Sequence, residues 1–111
     1  MIEERETRVD ESGFLPMPDG DALELTTVLQ ALADPVRLRI VRELADAGEL
    51  SCGRLSLPVS ASTRSHHLKT LRAAGVTRTR MVGTQRLVSL RSDVLERRFP
   101  GLLAAVLDSP R

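Results

Sequence analysis

Residues 60–75 read SASTRSHHLKTLRAAG, and this stretch decides the fold. Ser60 suits a helix N-cap and Gly75 suits the C′ position just past a helix end, so residues 61–74 are read as a helix. Leu68 and Leu71, three apart on one side, bind that helix to a core. Ser62, Ser65, His66 and Lys69 follow at i, i+3, i+4 and i+7 on another side. This second stripe is polar throughout and ends in a cation. Small polar side chains in the first turns let a helix approach the floor of a major groove closely. Hydroxyls and imidazole can exchange hydrogen bonds with base edges, and Lys69 and Arg72 carry charge for phosphates. These are the properties of the recognition helix in a helix-turn-helix unit. The competing reading is an ordinary solvated helix face, and the stripe alone does not separate the two.

The distribution of charge does. The 111-residue chain has a formal net charge of only +1. Residues 1–24 carry eight acidic and two basic side chains. Residues 51–91 carry eight basic side chains (Arg54, Arg64, Lys69, Arg72, Arg78, Arg80, Arg86 and Arg91) and no acidic one. Solvated faces normally mix the two signs, so an acid-free basic stretch is the footprint of a polyanion-binding surface. Aromatic residues make up 2% of the chain, Phe14 and Phe99 alone, which leaves nothing to stack on unpaired bases and favours double-stranded DNA over single strands.

Working outward, Leu25, Val28, Leu29 and Leu32 form the apolar stripe of a first helix, with Asp21 as its candidate cap. Asp34-Pro35 ends it and starts a second helix, Asp34 as N-cap and Pro35 at the first helical position. Leu38, Ile40, Val41, Leu44 and Ala45 make that helix apolar on much of its circumference, and Gly48 stops it. Residues 51–57 are read as a short helix or turn closed by Pro58. Residues 76–81 and 85–90, rich in Val, Thr, Leu and Arg and separated by Val82-Gly83-Thr84, form a β-hairpin. Its arginines, Arg78, Arg80 and Arg86, make it a basic wing that grips phosphates beside the major groove or enters the minor groove, against the alternative of edge charges that discourage aggregation. Ser92 is read as the cap of a last helical stretch in which Leu95, Phe99, Leu102, Leu103 and Val106 keep helical spacing and Pro100 breaks or bends it.

The expected fold is therefore mainly α, a winged helix-turn-helix of about five helices plus one β-hairpin wing. Residues 21–108 form the domain, behind an acidic flexible tail over residues 1–20. A homodimer is expected, because Leu25, Val28 and Leu29 with Phe99, Leu102, Leu103 and Val106 are too many apolar residues for so short a chain to cover alone.

Three segments carry a family resemblance: LQALADPVRLRIVRELADAGELSCGRL (29–55), SASTRSHHLKTLRAAGV (60–76) and RTRMVGTQRLVSLR (78–91). Together they resemble the ArsR/SmtB-type winged helix-turn-helix repressors, over residues 23–107. The resemblance implies a homodimer joined through its first and last helices, repression by binding a near-palindromic operator, and release by an effector, in many members a metal or metalloid. Position by position, it implies base reading by Ala61, Ser62, Ser65 and His66, with Thr63 beside them. It implies a phosphate contact at Lys69 and wing contacts at Arg80, Thr84 and Arg86. Arg64 departs from the pattern, which has an inward apolar residue there; a long stem reaching past the core to a phosphate would suit it. The segment before Ser60 is also about two residues shorter than the family's usual third helix.

The family's metal ligands are missing from their usual places. ELSCGRL has one cysteine, Cys52, where arsenic sensors have a pair, and the last helix has neither His nor Cys. One thiolate cannot hold a soft metal alone. His66 and His67 are adjacent and do not share a helix face. No metal and no cofactor are expected, and the effector is left unidentified; a small buried cysteine is the first reading of Cys52, and a metal- or redox-responsive repressor acting through it is the alternative. The acidic side chains Glu3, Glu4, Glu6, Asp10 and Glu11 could lie over the basic face and compete with DNA, against the plainer reading of a solubilising tail. Two other classes compete with the DNA-binding reading. A protein-interaction winged helix would lose the basic face, which this chain keeps. A thiol enzyme would need Cys52 and His66 in one pocket, and no phosphate loop or paired carboxylates support an enzyme. The N-terminus MIEERETRVD lacks the apolar core of a signal peptide and no apolar run approaches a membrane span, so a cytoplasmic protein is expected.

Overall fold

Two capped helix starts organise the molecule, a computed structural model that describes residue 9 and residues 13–110. Asp34 Oδ2 accepts from the backbone N–H of Val36 at 2.9 Å and of Arg37 at 3.0 Å. The bond from Arg37 N–H is the main reason its carboxyl is held below the ordinary range. With Pro35 in the first position, this cap starts α2 (Pro35–Ala47) directly after α1 (Leu25–Leu32). Ser60 Oγ accepts from Thr63 N–H at 3.2 Å and starts α3 (Ala61–Ala74). Gly75 ends α3 at φ 87°, a conformation that costs a side-chain-bearing residue about 1–2 kcal/mol. A Cβ at Gly75 would also fall 2.0 Å from Leu23 Cδ2.

Three antiparallel strands, β1 (Glu49–Ser51), β2 (Thr77–Val82) and β3 (Gln85–Leu90), form a sheet in the order β1-β3-β2. Thr79 pairs with Val88 and Met81 with Arg86 across the hairpin, while Glu49 pairs with Ser89 on the other side of β3. Two short helices close the chain, α4 (Ser92–Arg98) and α5 (Leu102–Asp108). One core joins these elements. Val28, Ile40, Val41, Leu44, Leu71, Val76 and Val88 are all sealed from water, and each contributes ~1.5–3 kcal/mol by leaving it.

The winged helix is as expected, with several local departures. Residues 49–51 form a third strand, because β3 offers an open edge to them; one 3₁₀ turn, Cys52–Arg54, follows within the stretch read as a short helix or turn. Asp21 lies in a 3₁₀ turn, Gly20–Ala22, and does not cap α1, whose N-cap position is Glu24. Pro100 does break the last helical stretch, and Gly101 at φ 84° sets α5 off from α4. Part of the stretch expected as a flexible tail is built into the fold. Leu15 N–H donates to Thr79 O and Met81 N–H donates to Gly13 O, both at 2.8 Å, so residues 13–15 extend the sheet beyond β2. Leu15 is buried, which is why that stretch is held. The tail's acidic residues Glu3, Glu4, Glu6, Asp10 and Glu11 lie outside the described residues.

Candidate nucleic-acid interface

α3 is anchored by Leu68, Leu71 and Ala74, all buried. That leaves Ala61, Ser62, Thr63, Ser65, His66 and Lys69 exposed, so the polar stripe faces water as the spacing predicted. Its first turn is ordered by hydroxyls. Ser60 Oγ donates to Thr63 Oγ1 at 3.0 Å and lies 3.2 Å from Ser62 Oγ. Thr63 therefore serves the cap as well as the surface. Arg64 does not stand out in solvent. It is half-buried, and its Nε is shut from water with no hydrogen-bond partner among the described residues.

The wing's arginines divide between the two faces of the hairpin. Strand alternation puts Arg86 on the face that packs toward α3, with its neighbour Thr79. There Arg86 joins Ser65, Leu68, Lys69, Arg72 and Cys52 around a crevice of about 190 Å³. The recognition helix and the wing thus bring Ser65, Lys69, Arg72 and Arg86 together. Thr84 is exposed in the hairpin turn.

Arg78 and Arg80 take the other face. Arg80 Nε donates to Glu49 Oε2 at 2.9 Å and its second nitrogen to Glu49 Oε1 at 2.8 Å, a two-bond ion pair across β3. This pair lowers the Glu49 carboxyl and raises the guanidinium. Arg78 donates to Ser89 Oγ at 3.3 Å and lies over the Phe14 ring. Arg91 is buried, its guanidinium pulled down by desolvation and donating to Pro18 O at 2.8 Å. The expectation that no acid balances the wing is therefore corrected: Glu49, two residues upstream of the acid-free stretch, balances Arg80. Sequence reasoning passed over Glu49 because its strand is too short to show a period of its own.

Cys52 is half-buried, and burial raises its thiol, while Arg86, Arg64 and Arg72 pull in the opposite direction. Among the described residues, no group of three or more His, Cys, Asp or Glu side chains could hold a metal ion. No helix there is long and apolar enough to cross a membrane.

The expected dimer-forming residues also divide. Leu25 and Leu29 are 46% and 44% exposed on α1, and Phe99, Leu102 and Val106 are half-buried. Val28 is fully buried and Leu103 nearly so within the single chain. Val28 lies with Ala31 and Leu32 on the buried side of α1, and Leu25 and Leu29 stand at the edge of that side.

A capped recognition helix with a polar exposed stripe, flanked by a wing that turns an arginine toward it, defines a winged-helix DNA-binding protein. Residues 32–80 match the model of a helix-turn-helix domain. The chain is 40% identical over 93 residues to the uncharacterized HTH-type transcriptional regulator YceK of Bacillus subtilis (strain 168), covering 81% of this chain and 93% of that one. It is 37% identical over 75 residues to an arsenical resistance operon repressor of Staphylococcus xylosus, covering 66% of this chain and 71% of the other. Among solved structures, HlyU from Vibrio cholerae N16961 is similar with a TM-score of 0.56 and 34% identity, covering 67% of this chain and 89% of HlyU. The chain belongs to the ArsR-type family of winged helix-turn-helix proteins. It is a DNA-binding transcriptional regulator and not an enzyme.

Proposed function

We propose that this regulator is a homodimeric repressor that occludes a promoter by binding a near-palindromic operator, and that an effector of unidentified chemistry releases it. The observation that carries the reading is the convergence of Ser65, Lys69, Arg72 and Arg86 on one crevice between α3 and the wing. Ala61, Ser62, Ser65 and His66 read base edges in the major groove. Lys69, Arg72 and Arg86 contact phosphates, and Thr84 carries the wing turn to the backbone. Thr63 holds the first turn, and Arg64, half-buried, supports α3 from within. The dimer forms through Leu25 and Leu29 of α1 with Phe99, Leu102 and Val106, which sets two recognition helices about one DNA turn apart. The similarity to an arsenical resistance operon repressor supports repression as the mode of control.

Fluorescence anisotropy tests this with DNA from upstream of the protein's own gene, titrated at several salt concentrations. Specific binding by two chains per site, with log affinity falling steeply as log salt rises, is the expected result. No preference over unrelated DNA at low salt would reject the operator reading.

A further inference from the structure

One side chain joins the end of α1 to the flank of the recognition helix. Arg37, in the first turn of α2, donates from Nε to the carbonyl of Ala31 at 2.5 Å and from a terminal nitrogen to the carbonyl of Gln30 at 3.3 Å. Those carbonyls belong to the last turn of α1: Gln30 O also accepts from the cap N–H of Ala33 at 3.2 Å, and the residue four after Ala31 is Pro35, which has no N–H to offer. The other terminal nitrogen lies 3.2 Å from Nδ1 of His67, in the middle of α3. A guanidinium only donates, so Nδ1 of His67 is the acceptor in this bond. Arg37 is fixed at its own root too, because its backbone N–H is bonded to Asp34.

His67 occupies a distinctive place on α3. It is half-buried, between the buried side of Leu68 and Leu71 and the exposed side of Ser62, His66 and Lys69. The leucines hold the helix to the core through apolar contact, whose driving force is non-directional. A planar fork bound to three acceptors on two other helices has one arrangement.

We propose that Arg37 is a positioning residue for operator reading: through His67 it fixes the roll of α3 relative to the last turn of α1. The proposal rests on the operator reading above. Base-edge contacts tolerate displacements well under an ångström, whereas phosphate contacts by long cations tolerate more. Loss of the clamp therefore lowers discrimination between operator and unrelated DNA more than it lowers total affinity. It leaves the core, and hence thermal stability, little changed.

Four full-length variants test this: Arg37→Gln, His67→Leu, which fills the space without an acceptor, His67→Gln, which keeps one, and the double variant that combines Arg37→Gln with His67→Leu. The readouts are operator affinity, affinity for unrelated DNA and Tm. Arg37→Gln and His67→Leu should each lower the operator-to-unrelated ratio about tenfold. The double variant should be no worse than either single one, and His67→Gln should retain most of the ratio. An unchanged ratio in His67→Leu, or losses that multiply in the double variant, overturns the proposal. Should the unaltered chain itself show no operator preference, the operator reading fails and the clamp is judged by backbone amide resonances. Arg37→Gln must then shift signals both at residues 30–32 and at residues 66–68. Shifts confined to the neighbourhood of position 37 overturn it.

Discussion

Arg80 and Arg86, six residues apart in one hairpin, stand on opposite faces of it. Arg80 is closed into a two-bond pair with Glu49 on the outer face, whereas Arg86 lines the crevice shared with α3. Strand alternation causes the division, since Arg86 pairs opposite Met81 and not opposite Arg80.

The two arginines should differ in their part in DNA binding. Arg86→Ala is expected to reduce the slope of log affinity against log salt by about one, the signature of one lost phosphate contact. Arg80→Ala should leave the slope nearly unaltered, because its charge is already neutralised by Glu49. Salt titrations of both variants on the same operator decide this. An equal fall in slope for Arg80→Ala would mean that the Glu49 pair opens on DNA.

Much of the fold was legible because it is written locally. Asp34-Pro35, Ser60 and Gly75 each announce a helix end within a few residues, and the i, i+3, i+4, i+7 stripe of α3 needs no knowledge of the rest of the chain. What escaped the sequence depends on partners far along it. Glu49 meets Arg80 across 31 positions and Arg37 meets His67 across 30. No period marks β1, which exists through its pairing with β3. Leu15 looked like tail because Pro16, Pro18 and Gly20 follow it, yet the free edge of β2 and an apolar seat hold it in place.

Asp34 should matter to stability in a pH-dependent way. Removing its cap in Asp34→Ala costs about 1 kcal/mol at neutral pH. The folded carboxyl titrates below its ordinary value of 3.8, foremost because Arg37 N–H bonds to the ionised form. Its contribution is thus complete above the unfolded value and is lost as pH falls through the lower, folded one. Urea denaturation over a pH series should show the two proteins apart at pH 6 and converging in acid. A constant gap down to the lowest pH at which both fold would show that Asp34 acts by packing and not by charge.

Two glycines with positive φ should respond differently to alanine. Gly75→Ala meets both a left-handed backbone at φ 87° and Leu23, whose Cδ2 is 2.0 Å from the new Cβ and which is itself buried. A loss of at least ~2 kcal/mol is expected, from the backbone cost and the displaced leucine together. Gly83, at φ 61° in the wing turn, has nothing within 4 Å of the same atom. Gly83→Ala should cost only ~1 kcal/mol. Equal losses, measured by urea midpoint, would mean that Leu23 moves aside at little cost.

The final contrast is between neighbours on α1. Leu29 is 44% exposed in the single chain, while Val28 is fully buried. A charge at position 29 therefore meets water in a free protomer but would be buried without a partner in the proposed dimer seam. Leu29→Glu should keep the fold and sediment as a monomer, and its operator affinity should fall by at least a hundredfold, because one half-site contact cannot recruit the second. Val28→Ala should do the reverse. Two buried methyl groups and the small cavity they leave cost about 2 kcal/mol of stability, with the oligomeric state unchanged. Sedimentation velocity and urea denaturation on the two variants separate these effects. If Leu29→Glu sediments as a dimer, the proposed seam through α1 fails; if the unaltered protein sediments as a monomer, the proposed dimer fails with it.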